Sequence, residues 1–215
     1  MSVRRIPKNY RNVTGIVASR KVRDPAAFES TLERDFYTLL EFTPAVQSYD
    51  VQPVEIRWHD GAKWRRYTPD VLVTFHAQEV QQPPWLCEVK YRSDLKRDWA
   101  DLKPRLRAGI RYAREQGLRF RVMTEVEIRT PYLANAQFLL PFKRQPIELA
   151  HSSMLLNALQ DLRETSPESL LMAVCRDEWH RAALVPTLWR LVATFRIAAD
   201  LHAPLTMRSR IWSPS

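Results

Sequence analysis

Two apolar segments that carry charged residues restrict the fold more than any other feature of this sequence. Residues 71–75 and 85–91 have the length and the alternation of β-strands. Asp70 precedes the first segment, and Glu88 and Lys90 share one face of the second. Burying an unpaired carboxylate costs several kcal/mol, so such charges are rarely placed between apolar strands without a partner. The sequence therefore predicts a sheet with an acidic site at its centre.

Helical periodicity surrounds these strands. Asp24-Pro25 is typical of a helix start, and the stripe that follows consists of Phe28, Leu32, Phe36, Leu39 and Leu40, with Glu33 beside it. Residues 46–58 and 64–75, joined by a turn at 59–61, predict a hairpin. A basic helix from Ser93 or Asp94 to Gly117, bent at Pro104, and a strand at 118–123 complete the order α-β-β-β-α-β. This order predicts an α/β fold.

The composition of the sequence changes near residue 146, where we place a domain boundary. Beyond it, residues 152–164, 167–175 and 178–194 predict helices, and 195–199 and 205–212 predict strands. Three helices followed by a hairpin favour a small winged-helix-like module. The predicted organisation is a basic arm at 1–24, an α/β domain at 25–146 and this module at 147–215. We interpret its aromatic residues as core: Trp179, Trp189, Phe195 and Trp212.

The charge of the chain indicates a polyanionic partner. Its net charge is +9, and seven basic residues precede the first acidic residue, Asp24. Basic segments attract nucleic-acid phosphates, although a charge run can also be a solvated tail. The candidate DNA-binding residues lie in this arm and at the start of the basic helix: Arg4, Arg5, Lys8, Arg11, Arg20, Lys21, Lys96, Arg97 and Lys103.

The acidic residues have the chemistry of a magnesium site. Asp70 and Glu88 would converge from adjacent strands, and Mg²⁺ prefers carboxylate oxygens, water and substrate phosphate. Lys90 follows Glu88 by two residues, so its ammonium could position an attacking water or stabilise charge on a scissile phosphate. Glu33 would add a third carboxylate from the first helix. Taken singly, each of these residues has an ordinary alternative: a turn aspartate, an exposed strand pair or a solvated helical glutamate.

Several other classes of function find no support in the sequence. Cys87 and Cys175 form neither a disulfide framework nor a CxxC pair. The histidines lack zinc-ligand spacing, and the chain has no Gly-rich phosphate loop and no nucleophile elbow. Without a signal-peptide core or a long apolar run, we expect a cytoplasmic protein with no membrane partner.

An extended series of motifs resembles the TnsA-type endonuclease subunits of heteromeric cut-and-paste transposons, including CRISPR-associated ones. The resemblance runs in order through residues 28–34, 46–49, 52–53, 67–70 and 88–90, and it continues into 201–212. Glu33, Asp70, Glu88 and Lys90 match the catalytic positions of that family, with Glu33, Asp70 and Glu88 as its metal-binding positions.

The resemblance implies a restriction-endonuclease-like PD-(D/E)xK core and dependence on Mg²⁺, for which Mn²⁺ would substitute. It implies cleavage of the 5′, non-transferred strands of double-stranded DNA at transposon ends in a bacterial cell, at the nucleoid. A TnsB-type DDE transposase would process the 3′ ends, and the C-terminal module would contact DNA or a TnsC-type AAA+ ATPase regulator.

Two alternatives stay open at this point. A stand-alone restriction or repair nuclease, or a junction resolvase, would use the same site without a transposase. A non-catalytic DNA-binding adaptor would use the basic arm and the C-terminal module, and its acidic cluster would hold no metal.

Overall fold

A computed structural model describes residues 15–17, 21–22, 26–77 and 82–214. The predicted arm residues Arg4, Arg5, Lys8, Arg11 and Arg20 lie outside the described residues, and so does the predicted helix start at Asp24-Pro25. The chain divides into two compact units, Met1–Arg129 and Thr130–Ser215. No helix in the described part is long and apolar enough to cross a membrane.

The first unit mixes helices and strands, which confirms the predicted α/β class. Its elements in chain order are β1 (Gly15–Val17), β2 (Ala26–Phe28), α1 (Thr31–Phe42), β3 (Val46–Val51), β4 (Ile56–His59), β5 (Trp64–Tyr67), β6 (Val71–Phe75), β7 (Trp85–Val89), α2 (Arg92–Arg97), α3 (Trp99–Glu115), β8 (Arg119–Met123) and α4 (Glu125–Ile128).

A four-stranded sheet in the order β3-β6-β7-β8 forms the centre of this unit. Strand β6 is antiparallel to both β3 and β7, whereas β8 runs parallel to β7. The parallel pair requires a crossover, and α2 and α3 supply it. Val71 pairs with Cys87 in the register of β6 and β7, so Asp70 and Glu88 come to lie at the same end of the two strands.

The predicted hairpin of 46–58 and 64–75 is divided into two parts, which corrects the expectation of continuous strands. Strands β3 and β6 belong to the main sheet, while β4 and β5 form a separate two-stranded ribbon. The break follows β3 at Gln52, whose φ of 49° lies in the left-handed region that non-glycine residues seldom adopt. The backbone N–H of Gln52 donates to the carbonyl of Asp70 at 2.8 Å. This hydrogen bond joins the end of β3 to the start of β6, the two points where the chain leaves and re-enters the main sheet.

Helix α1 begins later than predicted, at Thr31. Ser30 caps it, because its side-chain oxygen accepts a hydrogen bond from the backbone N–H of Glu33. Residues 26–28, expected to be helical, pair with β1 instead. The predicted stripe is buried at Leu32, Phe36 and Leu40.

The basic helix is interrupted at Asp98, which separates α2 from α3. The bend at Pro104 stays a prediction. Asp98 has a φ of −106° and a ψ of 19°, outside helical geometry, and a fresh helix starts after it. Pro104 is then accommodated inside α3. Gly117 follows the helix with a φ of +67°, a left-handed conformation that glycine accepts without strain, as expected for a residue that ends a helix.

The second unit contains α5 (Pro131–Lys143), α6 (Leu149–Leu162), β9 (Glu164–Thr165), α7 (Pro167–Val174), α8 (Glu178–Ala193), β10 (Ala198–Ala199) and β11 (Ile211–Trp212). The three predicted helices and both predicted strand regions are present, although the strands are only two residues long. Strand β9 was not predicted, and it completes a three-stranded antiparallel sheet in the order β10-β11-β9.

Helix α5 begins the second unit upstream of the boundary that we placed near residue 146. The reason is packing: Phe138 of α5 meets Trp189 of α8 edge to face, with ring centroids 5.2 Å apart. Of the aromatic residues interpreted as core, Trp189 is buried. Trp179 is 86% exposed and does not belong to the core, since it lies in the first turn of α8 where that helix faces solvent.

Candidate active site

Asp70 lies immediately before β6 and is bound to the neighbouring strand β7 by two hydrogen bonds. Its backbone N–H donates to the carbonyl of Cys87 at 3.0 Å, and its side-chain Oδ2 accepts from the backbone N–H of Val89 at 2.6 Å. The pairing of the strands therefore fixes the position of this carboxylate. These contacts leave Oδ1 available.

Glu88 is in β7 and is 3% exposed. Tyr67, at the end of β5, donates its hydroxyl hydrogen to Glu88 Oε2 at 2.7 Å. On the other side, the Nζ of Lys90 lies 3.9 Å from Glu88 Oε1. Lys90 itself is partly exposed, so an ion pair reaches from the buried carboxylate toward solvent.

Glu33 reaches the cluster from α1, but both of its oxygens already accept hydrogen bonds at the start of that helix. Oε1 accepts from the Ser30 hydroxyl at 3.0 Å, and Oε2 accepts from the backbone N–H of Glu29 at 2.9 Å. Because the Ser30 hydroxyl also caps the Glu33 backbone, the pair resembles a capping box. The spacing Ser-x-x-Glu signals such a cap, and we did not use that signal.

Burial and mutual repulsion raise the pKa values of the carboxyl groups. Desolvation raises the pKa of Asp70 well above its ordinary value, and the charges of Glu88 and Glu33 raise it further. Desolvation also raises the pKa of Glu88 and of Glu33, while Lys90 lowers both. The four predicted site residues therefore form one electrostatic cluster.

The donor set of this cluster fits a hard divalent cation in part. Asp70 Oδ1 and Glu88 Oε1 stand outside the hydrogen bonds described above, and carboxylate oxygens suit Mg²⁺. Tyr37 is fully buried, and its hydroxyl has no hydrogen-bond partner among the described residues. Burial raises the pKa of Tyr37, and the charges of Glu33 and Asp70 raise it further, so this hydroxyl lies within their field. A water of a hydrated cation would give it a partner.

The third carboxylate limits that fit. Within the described ranges, no three histidine, cysteine, aspartate or glutamate side chains are grouped so that they could hold a metal ion. Glu33 directs both oxygens to Ser30 and Glu29, so it would have to exchange one of these hydrogen bonds to become a ligand.

Sequence analysis missed Tyr67, Gln52 and Arg105 as neighbours of the cluster. The charge of Arg105 lowers the pKa of Glu88, which places this residue of the basic helix near the carboxylates. Gln52 bonds the Asp70 backbone and buries a side-chain oxygen that has no partner in the described part of the chain. A left-handed glutamine and a tyrosine three residues before the aspartate gave no pattern from which these contacts could be predicted.

The candidate DNA-binding residues that the structure describes differ in their surroundings. Lys96 and Lys103 are exposed on α2 and α3. Arg97 forms ion pairs with Asp94 and Asp98, each at 2.9 Å. Lys21 donates from Nζ to the carbonyls of Leu40 at 3.1 Å and Thr43 at 2.5 Å, so it caps the end of α1.

Two family models match the chain. The model described as TnsA-like endonuclease N terminal matches residues 43–125, a range that includes Asp70, Glu88 and Lys90 but not Glu33. The model described as TnsA endonuclease C terminal matches residues 127–201. A comparison with curated proteins gives no significant match.

Proposed function

The chain belongs to the TnsA endonuclease family, and from this premise we propose that it is a Mg²⁺-dependent endodeoxyribonuclease that cleaves the 5′, non-transferred strands at transposon ends. The observation that carries the proposal is the convergence of Asp70 and Glu88 from β6 and β7, with Lys90 beside Glu88. Desolvated, mutually repelling carboxylates are unfavourable in a sheet unless a cation compensates them.

The cluster supports a division of roles in phosphodiester hydrolysis. Asp70 Oδ1 and Glu88 Oε1 would hold Mg²⁺, and Glu33 would join them after release from its cap. When bound, Mg²⁺ supplies Lewis-acid chemistry that stabilises charge on a phosphate and favours deprotonation of water. Lys90, partly exposed at the rim, would orient the attacking water or neutralise charge that develops on the scissile phosphate.

In this proposal the core is of the PD-(D/E)xK, restriction-endonuclease-like type. The mixed sheet, the helix α1 that brings Glu33, and the crossover through α3 are consistent with it. For the second unit, the order α6-β9-α7-α8-β10-β11 supports a winged helix, in which one strand follows the first helix and two follow the third. We propose that this module contacts DNA or a TnsC-type ATPase regulator, and that a TnsB-type DDE transposase cuts the 3′ ends.

Strand cleavage at labelled transposon ends tests the proposal. The reaction would contain this protein, the transposase and the regulator encoded beside it, and Mg²⁺. We expect the wild-type protein to cut the non-transferred strands and Asp70→Ala to leave them intact. Asp101→Ala, which removes an exposed acid on α3, serves as the matched control and should cleave like the wild type. Equal cleavage by Asp70→Ala and the wild type would exclude the catalytic assignment.

Glu33 can be tested apart from its structural role. Glutamine also serves in a capping box, so Glu33→Gln should keep the start of α1 while it removes the charge. Glu33→Ala removes both. If Glu33 contributes to catalysis, both variants lose cleavage; if it only caps α1, Glu33→Gln cleaves normally and only Glu33→Ala loses stability.

One observation favours a second candidate function, that of a non-catalytic DNA-binding adaptor. Within the described residues, no group of three potential ligands could hold a metal, and both oxygens of Glu33 accept hydrogen bonds at its helix start. An adaptor would assemble with the transposase and DNA equally well with or without divalent cations. Metal binding that disappears in Asp70→Ala would exclude it.

A further inference from the structure

Tyr67 makes a buried contact with the cluster that the assignment of Glu33, Asp70, Glu88 and Lys90 leaves unexplained. The side chain is 6% exposed, and its hydroxyl donates to Glu88 Oε2 at 2.7 Å. The tyrosine is not part of the main sheet, since it ends the ribbon strand β5. The ribbon therefore contributes one hydrogen-bond donor to a carboxylate of the sheet.

The ring of Tyr67 is held in place by the close approach of α3. A Cβ atom built at Gly109 would lie 2.9 Å from Tyr67 Cε1 and 2.6 Å from Phe120 Cε2. Real Cβ atoms do not come this close, so any larger residue at position 109 would displace one or both rings. The lack of a side chain at Gly109, and not its backbone conformation, allows Tyr67 to lie where its hydroxyl meets Glu88.

The hydrogen bond distinguishes the two oxygens of Glu88. Oε2 is turned toward Tyr67, whereas Oε1 lies on the side of Lys90, 3.9 Å from its Nζ. A neutral donor at 2.7 Å stabilises the buried carboxylate without adding a competing positive charge. Ligating carboxylates are commonly held by such outer hydrogen bonds, whose loss weakens metal binding about 10–100-fold.

We propose that Tyr67 is a positioning residue that orients Glu88 so that Oε1 faces the metal, and that Gly109 supplies the space that its ring requires. The inference rests on the proposed function, because it takes Glu88 to be a metal ligand. The competing explanation is that Tyr67 only fills the core, where it packs with Ile56, Leu86 and Ala108. Phenylalanine would satisfy that role completely.

Binding of Mn²⁺ alone to the full chain separates the two explanations without any measurement of cleavage. Free Mn²⁺ would be followed by electron paramagnetic resonance during titration of the wild type, Tyr67→Phe, Gly109→Ala and Asp70→Ala. Tyr112→Phe is the matched control, since Tyr112 packs against the same core cluster and, within the described part of the chain, makes no hydrogen bond to the carboxylates. Circular dichroism on each sample verifies that the variants are folded.

We expect Tyr67→Phe to weaken Mn²⁺ binding by about tenfold or more and Tyr112→Phe to leave it unchanged. Gly109→Ala, which displaces the ring but keeps the hydroxyl, should weaken binding in the same direction. Wild-type affinity in folded Tyr67→Phe, with binding lost in Asp70→Ala, would overturn the positioning role and leave the proposed function intact. Equal binding by Asp70→Ala and the wild type would overturn the metal site itself, and the role of Tyr67 with it.

Discussion

Replacement of Asp70 by asparagine should stabilise the metal-free protein. Desolvation and the charges of Glu88 and Glu33 raise the pKa of Asp70, so the folded state disfavours its ionised form. For a carboxyl group, the pKa in the unfolded chain is about 3.9. When the pKa in the folded state is higher, the free energy of unfolding falls as the pH rises from the unfolded value through the folded one. The destabilisation is absent at low pH and complete above the folded pKa. Asparagine carries no charge and removes this dependence.

The magnitude follows from opposing contributions at the same side chain. An incompletely compensated charge at a largely desolvated position costs several kcal/mol, on the order of 3 kcal/mol for the partly buried Asp70, and asparagine avoids that cost. The hydrogen bond from Val89 N–H to Asp70 Oδ2 weakens when its acceptor becomes neutral, a loss of about 1–2 kcal/mol. We therefore expect Asp70→Asn to raise the free energy of unfolding by about 1–2 kcal/mol at pH 8, as the difference of these terms.

Urea unfolding in EDTA at pH 5 and pH 8 measures this change, with Asp101→Asn as the control for an exposed acid. Addition of Mg²⁺ should reverse the order of stability. At a hundred times its Kd, a bound ion stabilises the wild type by about 2.7 kcal/mol, whereas a variant that cannot bind the ion gains no stability. If Asp70→Asn is less stable than the wild type at pH 8 in EDTA, or keeps the same pH dependence, then desolvation and the neighbouring charges do not raise the pKa of Asp70 as inferred.

Three further predictions concern charge and packing. Lys90→Met should reduce strand cleavage by about 10²–10³-fold while Mn²⁺ binding persists, since the proposed role of the ammonium is to act on the phosphate and not to bind the metal. Single-turnover kinetics and a metal titration test this. Lys103→Ala should weaken DNA binding, and if this exposed lysine contacts one phosphate, the magnitude of the slope of log affinity against log salt should fall by about 0.9. An unchanged slope in binding titrations would show that Lys103 is not part of the interface. Leu188 is fully buried in α8, so Leu188→Ala should lower the free energy of unfolding by about 2–5 kcal/mol, measured by urea titration. A smaller loss would mean that the second unit repacks around the shorter side chain.

The parts of the fold that the sequence predicted correctly are those with a local periodicity. The alternation of residues 71–75 and 85–89 identified two strands, and the spacing of Leu32, Phe36 and Leu40 identified α1. Positions where the chain leaves a regular element were less predictable. Gln52 adopts a positive φ that its residue type does not favour, and its backbone N–H donates one hydrogen bond to the carbonyl of Asp70, a residue 18 positions later in the chain. No local pattern contains that information.

The candidate site shows the same division. Asp70, Glu88 and Lys90 were chosen because strand alternation places side chains on known faces. The neighbours Tyr67 and Arg105 depend on how the ribbon and α3 lie on the sheet, and the ring of Tyr67 occupies space that a side chain at Gly109 would fill. Gly109, one of four glycines in the chain, leaves room for the Tyr67 ring, but a glycine within a helical pattern does not reveal which ring it accommodates.

Each acid of the cluster also has a structural role, and these roles determine which of them can respond to a metal. Asp70 binds the backbone of β7 through one oxygen, and Glu88 binds Tyr67 through one oxygen. The second oxygen of each could therefore bind a cation without breaking these hydrogen bonds, and at Glu88 that oxygen also lies 3.9 Å from the Nζ of Lys90. Glu33 uses both oxygens to hold the start of α1, so ligation there requires exchange. In the proposed nuclease, Asp70 and Glu88 form the rigid part of the site, and Glu33 is the residue whose conformation must change when the cation binds.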